Sequence, residues 1–105
     1  MGFFFFRHND INEGVGRCTA EPGAVLLDVR TPAEYDGGHI EGSRNIPLQC
    51  IESAVNLISD KNTPLYVYCH SGARSRSATR VLQSLGYRDV TDLGGMVSYR
   101  GKVVK

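Results

Sequence analysis

The residues best suited to covalent chemistry are Cys69-His70-Ser71-Gly72-Ala73-Arg74-Ser75. A thiol is followed by a run of small side chains and then by a guanidinium. Small residues let the backbone curl so that successive N–H groups point inward as an anion-binding nest. A helix starting at that point adds the positive end of its dipole. A cysteine at the floor of such a nest is favoured as thiolate, and thiolates are nucleophiles, so the spacing points to covalent catalysis. A cysteine that merely fills a strand end needs neither the small-residue loop nor the arginine.

The flanking segments have the patterns needed to position this loop. Leu65-Tyr66-Val67-Tyr68 is an unbroken apolar run, expected to be a strand in the middle of a sheet, and it ends at Cys69. Ala78, Val81, Leu82 and Leu85 follow with helical spacing, and Gly86 stops that helix. A loop between the carboxyl end of a strand and a helix is where α/β folds place their ligands. Upstream, Phe3–Phe6 reads as a short buried strand. Asp10-Ile11-Asn12-Glu13 has the form of a capping box, and Val25–Val29 reads as a strand covered on both faces.

Thr31-Pro32-Ala33-Glu34 combines a capping hydroxyl, an N1 proline and an N3 carboxylate, so a one-to-two-turn helix is expected before Gly37-Gly38. Asn45–Pro47 suggests a short strand, and Ile51, Ala54, Val55 and Ile58 a helix laid on the sheet. Asp89–Leu93 suggests a further strand, with Gly94-Gly95 opening a last short helix. Alternation of strands and helices predicts an α/β fold: a mostly parallel central sheet of about five strands with helices on both faces.

The chain has 105 residues, 41% hydrophobic and 22% charged, which fits a single domain over residues 1–105 and excludes a disordered chain. A net charge of +1 excludes a uniformly basic nucleic-acid binder. The charge is nonetheless divided. Residues 1–68 carry five Arg/Lys against nine Asp/Glu, and residues 69–105 seven against two, so an anionic ligand is expected in the second half. Phe3–Phe6 is far short of the roughly 20 apolar residues of a membrane span, and it lacks the flanks of a signal peptide. A cytoplasmic protein without membrane contact is the expectation. Cys18, Cys50 and Cys69 are odd in number and widely spaced, which suits neither a disulfide framework nor a paired-ligand zinc site. Free thiols are expected, with no metal or cofactor.

Cys69-His70-Ser71-Gly72-Ala73-Arg74-Ser75 resembles the active-site loop of the rhodanese-like family of sulfurtransferases, in its Cys-x-x-Gly-x-Arg form. Leu27-Asp28-Val29-Arg30-Thr31-Pro32-Ala33-Glu34-Tyr35, with Gly38-His39-Ile40-Glu41-Gly42-Ser43 and Asn45-Ile46-Pro47, resembles that family's amino-terminal signature. Leu93-Gly94-Gly95 resembles its carboxyl-terminal one. The likeness runs from about Val25 to Tyr99. Tyr99 stands where the family usually has Trp, and the tail lacks its usual proline.

The resemblance implies a rhodanese-like domain. Cys69 would take the outer sulfur of a small anionic donor such as thiosulfate, forming a persulfide, and then pass it to cyanide, a thiol or a protein acceptor. His70, Ser71, Gly72, Ala73, Arg74 and Ser75 would bind the substrate. Arg74 would orient the donor's oxygens or hold the loop, and Ser75 would cap the helix. Arg76 and Arg80 would extend the positive field or simply form a solvated helix face. The same comparison and the helix-start pattern both make Asp28, Arg30, Glu34 and His39 scaffold. Cys18 and Cys50 could resolve a persulfide as a disulfide, but nothing in the sequence places them near Cys69, so they read as structural thiols.

Two other classes compete with this reading. A cysteine phosphatase or arsenate reductase resembles Cys-x5-Arg, which would need arginine where this chain has Ser75. A persulfide carrier or regulatory binding module is the other, and retention of Cys69 weighs against a purely regulatory module.

Overall fold

The structure, a computed structural model, describes residues 10–105. The Phe3–Phe6 expectation therefore lies outside the described residues. Asp10 opens α1 (Ile11–Ala20) by accepting the Asn12 N–H at 2.9 Å. This is a single side-chain cap at N2, where the sequence suggests a reciprocal box.

Four parallel strands form the central sheet, in the order β3 (Arg44–Asn45), β1 (Val25–Asp28), β4 (Leu65–Cys69), β5 (Val90–Gly95). The expected middle position of Leu65–Tyr68 is observed, and every residue of β4 is buried. Strand pleating divides the core in two. Leu26, Tyr66, Tyr68 and Leu93 pack with Ile11, Val15 and Cys18 of α1. Leu27, Leu65, Val67 and Cys69 pack on the opposite face. That face is covered by Ala78 and Leu82 of α4 (Ala73–Ser84) and by Ile51, Ala54 and Ile58. Cys69 therefore points toward α4.

The segment with helical spacing at Ile51–Ile58 is less regular than its stripe suggests. A 3-10 turn, Leu48–Ser53, bends at Cys50 and runs into the single α-turn of α3 (Ala54–Leu57). A separate two-stranded antiparallel sheet, β2 (His39–Ile40) with β6 (Val103–Val104), has no counterpart among the elements expected from sequence. Gly94-Gly95 belongs to β5 instead of starting a helix. A register shift at Val67/Tyr68 brings Gly94 opposite Tyr68 and Gly95 opposite Cys69, and a 3-10 turn, Met96–Ser98, follows. Tyr99 packs against the α1-side cluster. Among the described residues, no helix is long and apolar enough to cross a membrane.

Candidate active site

Cys69 ends β4 with 1% of its surface exposed, and the chain turns directly over its sulfur into α4. Two backbone donors meet the sulfur: Gly72 N–H at 3.0 Å and Ser75 N–H at 3.3 Å. An anionic sulfur accepts such bonds better than a neutral thiol does, so the loop is built to hold negative charge. Gly72 makes the turn with φ +116°, a conformation costly for any residue with a Cβ. Ser75 is fully buried and donates its hydroxyl to the Gly72 carbonyl at 3.0 Å, which locks the first turn of α4.

Sequence reasoning misses what lies beneath the loop. A Cβ built at Gly95 would stand 2.4 Å from the His70 carbonyl oxygen and 2.7 Å from Ser71 Cα. The end of β5 thus serves as a bare backbone floor, and Val97 N–H donates to the same carbonyl at 3.2 Å. The paired glycines are the one available signal. His70, Ser71 and Ala73 are exposed at the mouth, and Arg76 and Arg80 are exposed on α4.

Arg74 pairs with Glu34. Its Nη1 and Nη2 lie 2.7 and 3.1 Å from the two carboxylate oxygens of Glu34, a bidentate pair across 40 residues of chain. Glu34 is itself fixed at the start of α2 (Pro32–Asp36). The Thr31 N–H and hydroxyl both donate to its Oε1 at 3.0 Å, while its own N–H donates to Thr31 Oγ1 at 3.2 Å, completing the expected capping box. Arg74, with help from the Thr31 N–H, holds the Glu34 carboxyl down at about 2.

Asp28, at the end of β1, is fully buried and accepts Arg30 Nε at 3.0 Å and Nη2 at 2.6 Å. Arg30 also donates to the Gly38 carbonyl at 2.8 Å, and its guanidinium lies 5.9 Å from the ring centre of Tyr68. The Tyr68 hydroxyl accepts the Ile40 N–H at 3.0 Å and pairs with Ser43 Oγ at 3.1 Å. This net braces the residue immediately before Cys69. His39 stacks on Tyr35 with centroids 3.6 Å apart, and its Nδ1 donates to the Tyr35 carbonyl at 2.8 Å. Asp28, Arg30, Glu34 and His39 make no hydrogen bond to the sulfur, whose two donors come from the loop and the first turn of α4.

The other thiols lie elsewhere. Cys18 is buried on the α1 side of the sheet, the face opposite Cys69, and burial, with Glu21 nearby, pushes its thiol up to about 11. Cys50 is exposed on the 3-10 turn. All three cysteines are free.

Comparison with known proteins agrees with this geometry. Residues 15–102 match the rhodanese-like domain. An uncharacterized protein of Bacillus subtilis, YqhL, is 43% identical over 82 residues, covering 76% of this chain and 64% of its own length. The thiosulfate sulfurtransferase PspE of Escherichia coli is 37% identical over 71 residues, covering 67% of this chain and 68% of its own. A solved E. coli rhodanese with anions superposes with a TM-score of 0.72 at 35% identity, covering 78% of this chain and 98% of that one. Matched sequence and matched fold lead to one conclusion: the chain belongs to the rhodanese-like domain family.

Proposed function

We propose that this protein transfers a sulfane sulfur through a persulfide on Cys69, with thiosulfate as a competent donor. One observation carries the reading: two backbone N–H groups converge on the Cys69 sulfur where a buried strand turns into a helix. The Cys69 thiolate attacks the outer sulfur of thiosulfate. The new S–S bond forms as the donor's own S–S bond breaks, and its electron pair leaves with sulfite. The terminal persulfide sulfur carries the negative charge, which the N–H groups of the loop stabilise. Cyanide or a thiolate then attacks that sulfur, and the electron pair of the broken bond returns to Cys69 as thiolate. This is a ping-pong cycle.

His70, Ser71 and Ala73 form the rim that the donor meets, and Gly72 and Ser75 supply the cradle. Arg74 holds the loop against α2 through Glu34 in the resting protein. The likeness to a relative named thiosulfate sulfurtransferase supports the donor class. A phosphatase reading is weaker, because a tetrahedral oxyanion needs the wider Cys-x5-Arg loop and a free guanidinium. The test is intact mass after incubation with thiosulfate, followed by peptide mapping. One added sulfur on the Cys69 peptide, lost on adding cyanide, is expected. No added mass, or sulfur that persists in Cys69→Ala, would sink the proposal.

A further inference from the structure

An ion pair this open to solvent ordinarily stabilises a fold little, since Arg74 and Glu34 have side chains 35% and 36% exposed. Its geometry is more telling than its strength. Glu34 Oε1 accepts from Thr31 N–H, Thr31 Oγ1 and Arg74 Nη1, and Oε2 accepts from Arg74 Nη2. The carboxylate is therefore already fixed by its helix cap, and the guanidinium fork closes on it from the active-site loop. Glu34 foremost, and in smaller part the Cys69 sulfur, hold Arg74 more firmly protonated than a free arginine. The two donors best shaped for an oxyanion are thus engaged.

Resting on the sulfurtransferase reading, we propose that Glu34 is a specificity-determining residue for the sulfur donor, acting through Arg74. By closing the fork, it leaves recognition to the backbone nest, which binds sulfur, and withholds the side chain that would select the oxygens of a doubly charged donor. The wild-type mouth therefore discriminates weakly between thiosulfate, a dianion with three oxygens, and an arenethiosulfonate, a monoanion with two. Both donors give the same step. With the arenethiosulfonate, the Cys69 thiolate takes the outer sulfur, and the electron pair of the broken S–S bond leaves on the arenesulfinate.

The experiment measures single-turnover persulfide formation with each donor in the full chain, in wild type, Glu34→Gln, Arg74→Ala and the double variant. Glutamine at this helix position keeps the cap while removing the charge. Glu34→Gln should raise the ratio of thiosulfate to arenethiosulfonate efficiency about tenfold, the size of one released charge-assisted bond, through tighter thiosulfate half-saturation. On the Arg74→Ala background the same change should leave the ratio unmoved. If Glu34→Gln melts below the assay temperature, Glu34→Asp, too short to close both arms, should shift the ratio the same way.

A ratio that stays put in every Glu34 variant overturns the inference and reduces the pair to a structural tie. An equal rise with and without Arg74 also overturns it, since the carboxylate would then act by its own charge. A wild-type chain that gains sulfur from neither donor overturns the sulfurtransferase reading and this inference with it, an outcome distinct from the other two.

Discussion

The His70 carbonyl lies where a side chain on Gly95 would be, 2.4 Å from the Cβ that glycine lacks. The loop that carries the nucleophile rests on bare strand backbone, and backbone cannot swing aside as the end of a flexible side chain can. Gly95→Ala should therefore lift the His70-Ser71 segment and spread the donors around the sulfur. We expect a loss of about 1–3 kcal/mol of stability and at least a tenfold fall in sulfur transfer, roughly half the effect in kcal/mol of deleting a donor outright. Gly16→Ala, in α1 with nothing within 4 Å of the methyl it would gain, is the control and should be neutral or stabilising by up to about 1 kcal/mol. Denaturant midpoints and transfer rates check both, and a Gly95→Ala enzyme with wild-type turnover would mean that the loop is not seated there.

The two remaining thiols should behave in opposite ways. Cys50 is exposed and should be alkylated readily, whereas Cys18 is buried on the far face of the sheet with its thiol pushed up to about 11. Near neutral pH, mass mapping after brief iodoacetamide treatment should find Cys50 modified and Cys18 untouched. Cys18→Ala should leave persulfide formation on Cys69 intact, because the sheet separates the two sulfurs. Loss of the persulfide in a folded Cys18→Ala protein would contradict that separation.

The elements that hold the nucleophile are readable because their signals are local. Leu65–Tyr68 is apolar without interruption, as a strand buried on both faces requires, and Thr31 with Glu34 gives a helix start within four residues. What escapes depends on distance along the chain. His39-Ile40 and Val103-Val104 pair as two-residue strands with no periodicity to detect. Glu34 is legible as a cap, and its second bond, to an arginine 40 residues away, is not. Gly94-Gly95 looks like a helix start because glycine marks turns and close approaches alike, and only the register with Tyr68 and Cys69 separates the two.

The depressed Glu34 carboxyl has a consequence for acid stability. Its folded value is about 2 against an ordinary 4.5, so its contribution is fully present above about 4.5 and disappears as pH falls through about 2. The difference in melting temperature between wild type and Glu34→Gln should be constant from pH 7 to about 5 and shrink toward zero as pH drops from 4.5 to 2. The partial exposure of the pair keeps that difference small. A gap that closes near pH ~6 would point to another titrating group, such as a histidine.

Loop length separates sulfur chemistry from phosphoryl chemistry, and an insertion tests it. The donors on Cys69 come from residues 72 and 75, three apart, so one alanine inserted between Ala73 and Arg74 bulges the backbone between them and the two N–H groups no longer converge on the sulfur. The buried Ser75, Ala78 and Leu82 hold α4 in register, so the extra residue lengthens the loop to the form Cys-x5-Arg. Losing one donor to a developing anion costs about 2.7–4 kcal/mol, so thiosulfate turnover should fall roughly 10²–10³-fold. Arsenate or phosphate, held by a wider nest, should bind more tightly than to wild type, as read by calorimetry. A circular dichroism melt distinguishes this from unfolding, since the insertion lies in the first turn of α4. A folded insertion variant with undiminished sulfur transfer would show that cradle radius does not select the substrate, and the phosphatase reading would then stand on equal terms.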